Sequence, residues 1–191
     1  MSLVPMRCIS FSLRQSVVTH LRGLVHDRRG VSAVEFALIL PVMLALYFGG
    51  IELSQGISVD RKVKMTARTV ADLVSQVASI DNTGVDAVLG ASTAVLTPFP
   101  VANAKVTVSV VAIDAKGVAS VDWSRSTDGN GRSKGEGVAV PEALRTPNTS
   151  LVWGEAAYNY DPAVGYVVTG QIKLKSQIFM RPRLSESVKK T

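Results

Sequence analysis

A chain of 191 residues has room for one modest folded domain beside a membrane segment and little room for a two-domain enzyme. It is 47% hydrophobic but only 6% aromatic, an excess of Val, Ala and Leu that suits one lipid-facing helix plus a small β-rich core and not a disordered chain. The net charge of +6 is lopsided: Arg7, Arg14, Arg22, Arg28 and Arg29 stand against Asp27 alone in residues 1–30, leaving 16 basic and 14 acidic residues beyond Gly30. Such a balance is a topology signal and not a nucleic-acid footprint, so no nucleic-acid partner is expected. The one cysteine, Cys8, and the two histidines, His20 and His26, all precede the apolar run. A chain freed of that leader has no thiol, imidazole or disulfide, which excludes Cys/His catalysis and ordinary zinc sites.

In chain order, residues 1–30 read as a basic cytoplasmic leader. Leu13, Val17, Leu21 and Leu24 lie on one side of a helical wheel and Arg14 and Arg22 elsewhere, a pattern that suits the inner membrane surface. Residues 31–51 read as a transmembrane helix. Phe36 to Ile51 is free of charge, and the run from Val31 covers about 31 Å at 1.5 Å per residue, enough to span a bilayer core. Phe36, Leu40, Pro41, Leu44 and Ile51 are its marker residues. A cleaved secretory signal is the competing reading. Its apolar region would be about 7 to 15 residues, and Gly49-Gly50 offers only a weak cleavage site before Glu52 and the run Arg61, Lys62, Lys64. Arg22, Arg28 and Arg29 crowd the N-terminal side, whereas the first nine residues after Ile51 carry no Lys or Arg, so the N-terminus is expected in the cytoplasm. The basic cluster from Arg61 to Arg68 opposes this orientation from farther away. Pro41 leaves the carbonyl of Ala37 without its usual donor; it either bends the helix for a purpose or is one of the prolines that membrane helices ordinarily tolerate.

Glu35, at the cytoplasmic edge of the apolar run, has two readings. It is an interfacial carboxylate reaching for headgroups, or a partner for a new N-terminus. The second starts from Gly30, directly after Arg28-Arg29: cleavage there would make Val31 the first residue, with Glu35 one helical turn away. The Val31 ammonium could then meet the Glu35 carboxylate of a neighbouring, axially staggered subunit.

The stretch Arg28-Arg29-Gly30-Val31-Ser32-Ala33-Val34-Glu35-Phe36-Ala37-Leu38-Ile39-Leu40-Pro41 resembles the signature of TadE-like proteins, pilin-like components of the tight-adherence (Flp) pilus assembly system. The likeness runs through Ile51-Glu52-Leu53 to the vicinity of Ala67-Arg68, about a quarter of the chain. It implies cytoplasmic-side cleavage after Gly30 by a membrane-embedded aspartyl prepilin peptidase, with Val31, Glu35 and Phe36 as processing and assembly residues. It also implies other pilins, pilus assembly proteins and inner-membrane lipid as partners. Phe36 departs from Flp pilins, which carry tyrosine there. The long exported part likewise points to a minor pseudopilin or assembly factor of a bacterial inner membrane and not to the fibre's main subunit.

Beyond the membrane, Val63, Ala67, Val70, Val74 and Val77 form a one-sided stripe that predicts a helix over 52–79. A shorter helical piece is expected near Gly84 to Leu96, stopped by Thr97-Pro98-Phe99-Pro100. Lys105 to Ile113 reads as a strand, Asp114 to Gly117 as a turn and Val118 to Ser124 as the return strand; Ser150 to Tyr160 and Gln171 to Arg181 complete four antiparallel strands. Residues 124–137 read as a mobile polar loop. Gly131-Arg132-Ser133-Lys134-Gly135 lacks the spacing of a phosphate loop, and Arg132 and Ala139 spoil a calcium loop starting at Asp128, so neither metal nor cofactor is expected. Trp123, Trp153, Tyr158, Tyr160, Tyr166 and Phe179 read as core or subunit contacts.

The expected fold is α+β and pilin-like: a long N-terminal helix, transmembrane and continuing into an exported domain (80–191) with a small antiparallel sheet. With no acid/base pair or triad in view, a non-enzymatic role is expected. The alternative is a single-pass anchored extracytoplasmic binding domain unconnected with pili.

Overall fold

The computed structural model describes residues 29–162 and 170–191. The leader's amphipathic pattern and Tyr166 fall outside them. By its internal contacts the chain divides into two units, Met1–Phe48 and Gly49–Thr191.

Helix α1, Arg29–Ser75, supplies every described residue of the first unit and opens the second. From residue 30 to 48 the side chains are exposed on every side. Leu38 and Leu46, at 72% exposure, are the most open of its large apolar residues. Leu- and Ala-rich sequence favours the helix, which satisfies its own backbone, the condition for crossing hydrocarbon. Pro41 lies inside it.

In the second unit the burial of α1 becomes one-sided. Val59, Val63, Ala67, Val70, Ala71 and Val74 face the core at 0–1% exposure, spaced as one face of a 3.6-residue helix. The helix stops at Ser75, short of the expected Ser79. The backbone beyond it has other partners: Ser79–Ile80 forms β1, which pairs in parallel with β6, Lys189–Lys190. Lys189 N–H donates to the Ala78 carbonyl (3.1 Å) and Thr191 N–H to that of Ile80 (3.1 Å). Helix α2, Asn82–Thr93, starts two residues before the expected Gly84 because the Asp81 carboxylate caps it, accepting from Gly84 N–H at 2.8 Å. A 3-10 turn, Ala94–Leu96, carries it to the foreseen stop.

The four expected strands are present: β2 (Ala104–Ile113), β3 (Ala119–Ser126), β4 (Thr149–Tyr160) and β5 (Ile172–Met180). They form an antiparallel sheet of order β3-β2-β4-β5. Its inner face, with Val106, Val108, Val110, Val152, Ala156, Tyr158 and Tyr160, joins the α1 stripe, Val85, Leu89 and Leu96 in the main core. Trp123 closes this core, its indole N–H donating to the Val188 carbonyl at 2.8 Å. Gly154 is where helix and sheet come closest: a methyl group there would fall on the Ala67 carbonyl oxygen and within 2.9 Å of the Ala71 side chain.

The polar loop is tied to the sheet. Its first residues extend β3 to Ser126, and residues 135–138 run along that strand, with Gly135 N–H donating to Val121 O (2.7 Å) and Val121 N–H to Glu136 O (2.9 Å). Arg132 makes a forked ion pair with Glu155 (2.8 Å) and lies 4.1 Å over the Trp153 ring, which stacks on Phe179. Under this segment, Val111, Ile113, Leu151, Trp153 and Val140 form a second, smaller core on the outer face.

Candidate functional site

The first turns of α1 place the expected processing residues in open surroundings. Gly30 has nothing within 4 Å of where a side chain would begin, and Val31, Glu35 and Phe36 are all exposed. Val31 and Glu35, four residues apart, share one helix face. Among the described residues Glu35 makes no ion pair. Leu40, Pro41 and Leu44 follow in the exposed apolar stretch, which ends at the edge-on pair Tyr47–Phe48, centroids 5.5 Å apart. Ile51 is half-buried. Among the described residues one helix is thus long and apolar enough to cross a membrane.

Residues 30–72 match the TadE-like protein family. The TadE-like segment begins at Gly30, ends at Asp72 and lies wholly on α1, so the sheet is outside it. No curated protein and no solved structure matches the chain.

Within the TadE-like segment the structure adds two residues whose roles the sequence left open. Glu52 directly follows the apolar run, yet it is only 6% exposed, and neither of its carboxylate oxygens has a hydrogen-bond partner among the described residues. The Tyr160 hydroxyl is equally buried and unpartnered. Its ring lies 3.9 Å from where a Gly56 side chain would begin, one turn from Glu52. Burial first, and then the charge of Glu52, raise the phenol above its ordinary range. A carboxylate buried near a tyrosine of a distant strand leaves no periodicity signal; the hint available was a lone acid at the very end of an apolar run.

Lys62 is the second. Its ammonium donates to the carbonyls of Thr97 (2.6 Å) and Val95 (3.2 Å), closing the end of the turn after α2. Lys64 pairs with Asp60 at 2.7 Å. Of the four cations between Arg61 and Arg68, only Lys62 is partly buried; Lys64, Arg61 and Arg68 are exposed.

Of the polar residues weighed for chemistry, Asp128 is bonded to Lys105 (2.5 Å), whose ammonium, followed by the Ser126 hydroxyl, holds its carboxyl well below the usual range. Trp123, Trp153, Tyr158 and Tyr160 are buried and Phe179 half-buried, as packing residues are.

Proposed function

We propose that this protein is a non-enzymatic, membrane-anchored subunit or assembly factor of a tight-adherence (Flp-type) pilus, a minor pseudopilin. What carries the reading is the TadE-like match, which starts at Gly30 and follows a single helix whose first part exposes apolar side chains all round. The helix is held in the bacterial inner membrane with its N-terminus cytoplasmic and the sheet domain on the far side. Lys62 is engaged with the domain's backbone and Lys64 is paired with Asp60 on the helix surface, which weakens the one charge cluster that opposes this orientation. A prepilin peptidase cuts after Gly30, and the Val31 ammonium of one subunit meets Glu35 of another. Lateral contacts of α1 with other pilins drive assembly.

The test is the mass of the N-terminal peptide of the chain expressed with and without an active prepilin peptidase. A chain beginning at Val31 only when the peptidase is active is the expected result. An intact leader beside active peptidase overturns processing and leaves the reading of a plain anchored binding domain. Glu35→Ala is expected to leave insertion intact and reduce piliation; unchanged piliation would remove the ammonium pairing.

A further inference from the structure

The two edges of the sheet are treated differently. Along β3, residues 135–138 occupy the outward backbone, with Val138 N–H bonded to Ala119 O (3.0 Å) and a bridge from Ser120 to Gly137. That edge is covered over Ala119–Val121. β5 pairs with β4 alone, and among the described residues its backbone makes no further hydrogen bond. An edge of this kind is a template for another strand.

Its side chains specify which strand. Lys173, Lys175 and Gln177 form an exposed row on the outer face, and neither lysine makes an ion pair among the described residues. On the inner face Leu174, Ile178 and Met180 lie against the main core but are only partly covered. A strand added here would place alternate residues beside the lysine row and the others over the half-covered apolar row. A second copy's β5 would bring two more lysines to the same face, the device by which edge strands resist self-pairing.

We infer that β5 is a docking edge for an extended segment of a partner protein that alternates acidic and apolar residues, bound by strand addition. This surface is independent of the pilus reading, because it lies outside the TadE-like segment.

The experiment uses the full chain in lipid nanodiscs and a short fluorescent peptide alternating glutamate and valine, followed by fluorescence anisotropy. The acidic peptide is expected to bind saturably, and a lysine-valine version about tenfold or more weaker. Methylating alternate peptide nitrogens, which blocks backbone pairing and leaves charge unchanged, is expected to weaken binding about tenfold. The surface variant K173E/K175E should reverse the preference, and that reversal itself requires a folded domain. Equal binding of the methylated peptide would reduce the effect to diffuse charge and overturn strand addition. Absence of saturable binding, or an unchanged preference in the variant, would also overturn the proposal. Cross-links joining Lys175 of two copies would instead assign the edge to a second copy.

Discussion

The two parts of α1 share one backbone and obey different rules. From residue 30 to 48 nothing is buried, yet most side chains are apolar. From residue 59 to 74 the apolar residues, Met65 excepted, withdraw towards one face and the rest carry charge or polarity. The first pattern suits an apolar solvent, such as the membrane proposed above. The second needs a core, which the sheet provides. On the proposed membrane anchoring, the source of the helix's stability changes along its length, from backbone satisfaction in lipid to side-chain burial against strands.

That contrast can be broken most severely at Gly154. Gly154→Ala sets a methyl group against the Ala67 carbonyl and the side chains of Val70 and Ala71. It is expected to destabilise the domain by about 3 kcal/mol, read from urea unfolding of the detergent-solubilised chain, with membrane insertion unchanged. Equal stability would mean that helix and sheet pack less closely than described.

Matched truncations sharpen it next. Val63→Ala empties a fully covered site in the core and should cost about 2 kcal/mol. Val42→Ala, at a site 59% exposed, should leave domain unfolding within about 0.5 kcal/mol of wild type. Comparable losses would erase the distinction between the two parts.

Between these two stretches, Glu52 on α1, together with Tyr160 on β4, gives an effect of opposite sign. Tyr160→Phe removes a buried hydroxyl that has no partner among the described residues, and Glu52→Gln removes a buried charge. Each should raise the domain's stability by about 1 kcal/mol. A decrease in both would show that they serve a bonded network.

The smallest effect concerns pH. Asp86, beside Arg125, and Asp128, beside Lys105, both have carboxyls held below the ordinary range. A depressed folded-state value means that their contribution is complete above the unfolded value of about 3.9 and is lost as pH falls through the folded one. Acid unfolding should therefore shift slightly to higher pH in Asp128→Asn, most visibly at low salt, because the Lys105–Asp128 pair is solvent-exposed.

Much of this protein followed from sequence because its elements are governed by local periodicity. The charge-free run from Phe36 to Ile51, the Val63-Ala67-Val70-Val74 stripe and the alternation in Lys105 to Ile113 each indicate an element without reference to the rest of the chain. So does the Gly30 to Glu35 signature, which resides in neighbouring residues. What tertiary structure decided has partners distant in sequence. The end of α1 at Ser75 depends on the chain's last residues pairing with Ser79–Ile80. The polar loop follows β3 through backbone contacts that composition does not encode. Lys62 reads carbonyls 33 and 35 residues away, and Glu52 shares its burial with Tyr160 from the far end of β4. That one sheet edge is covered over Ala119–Val121, and the other has no backbone partner among the described residues, likewise follows from strand order, β3-β2-β4-β5, because the side-chain pattern of a strand records its faces and not its neighbours.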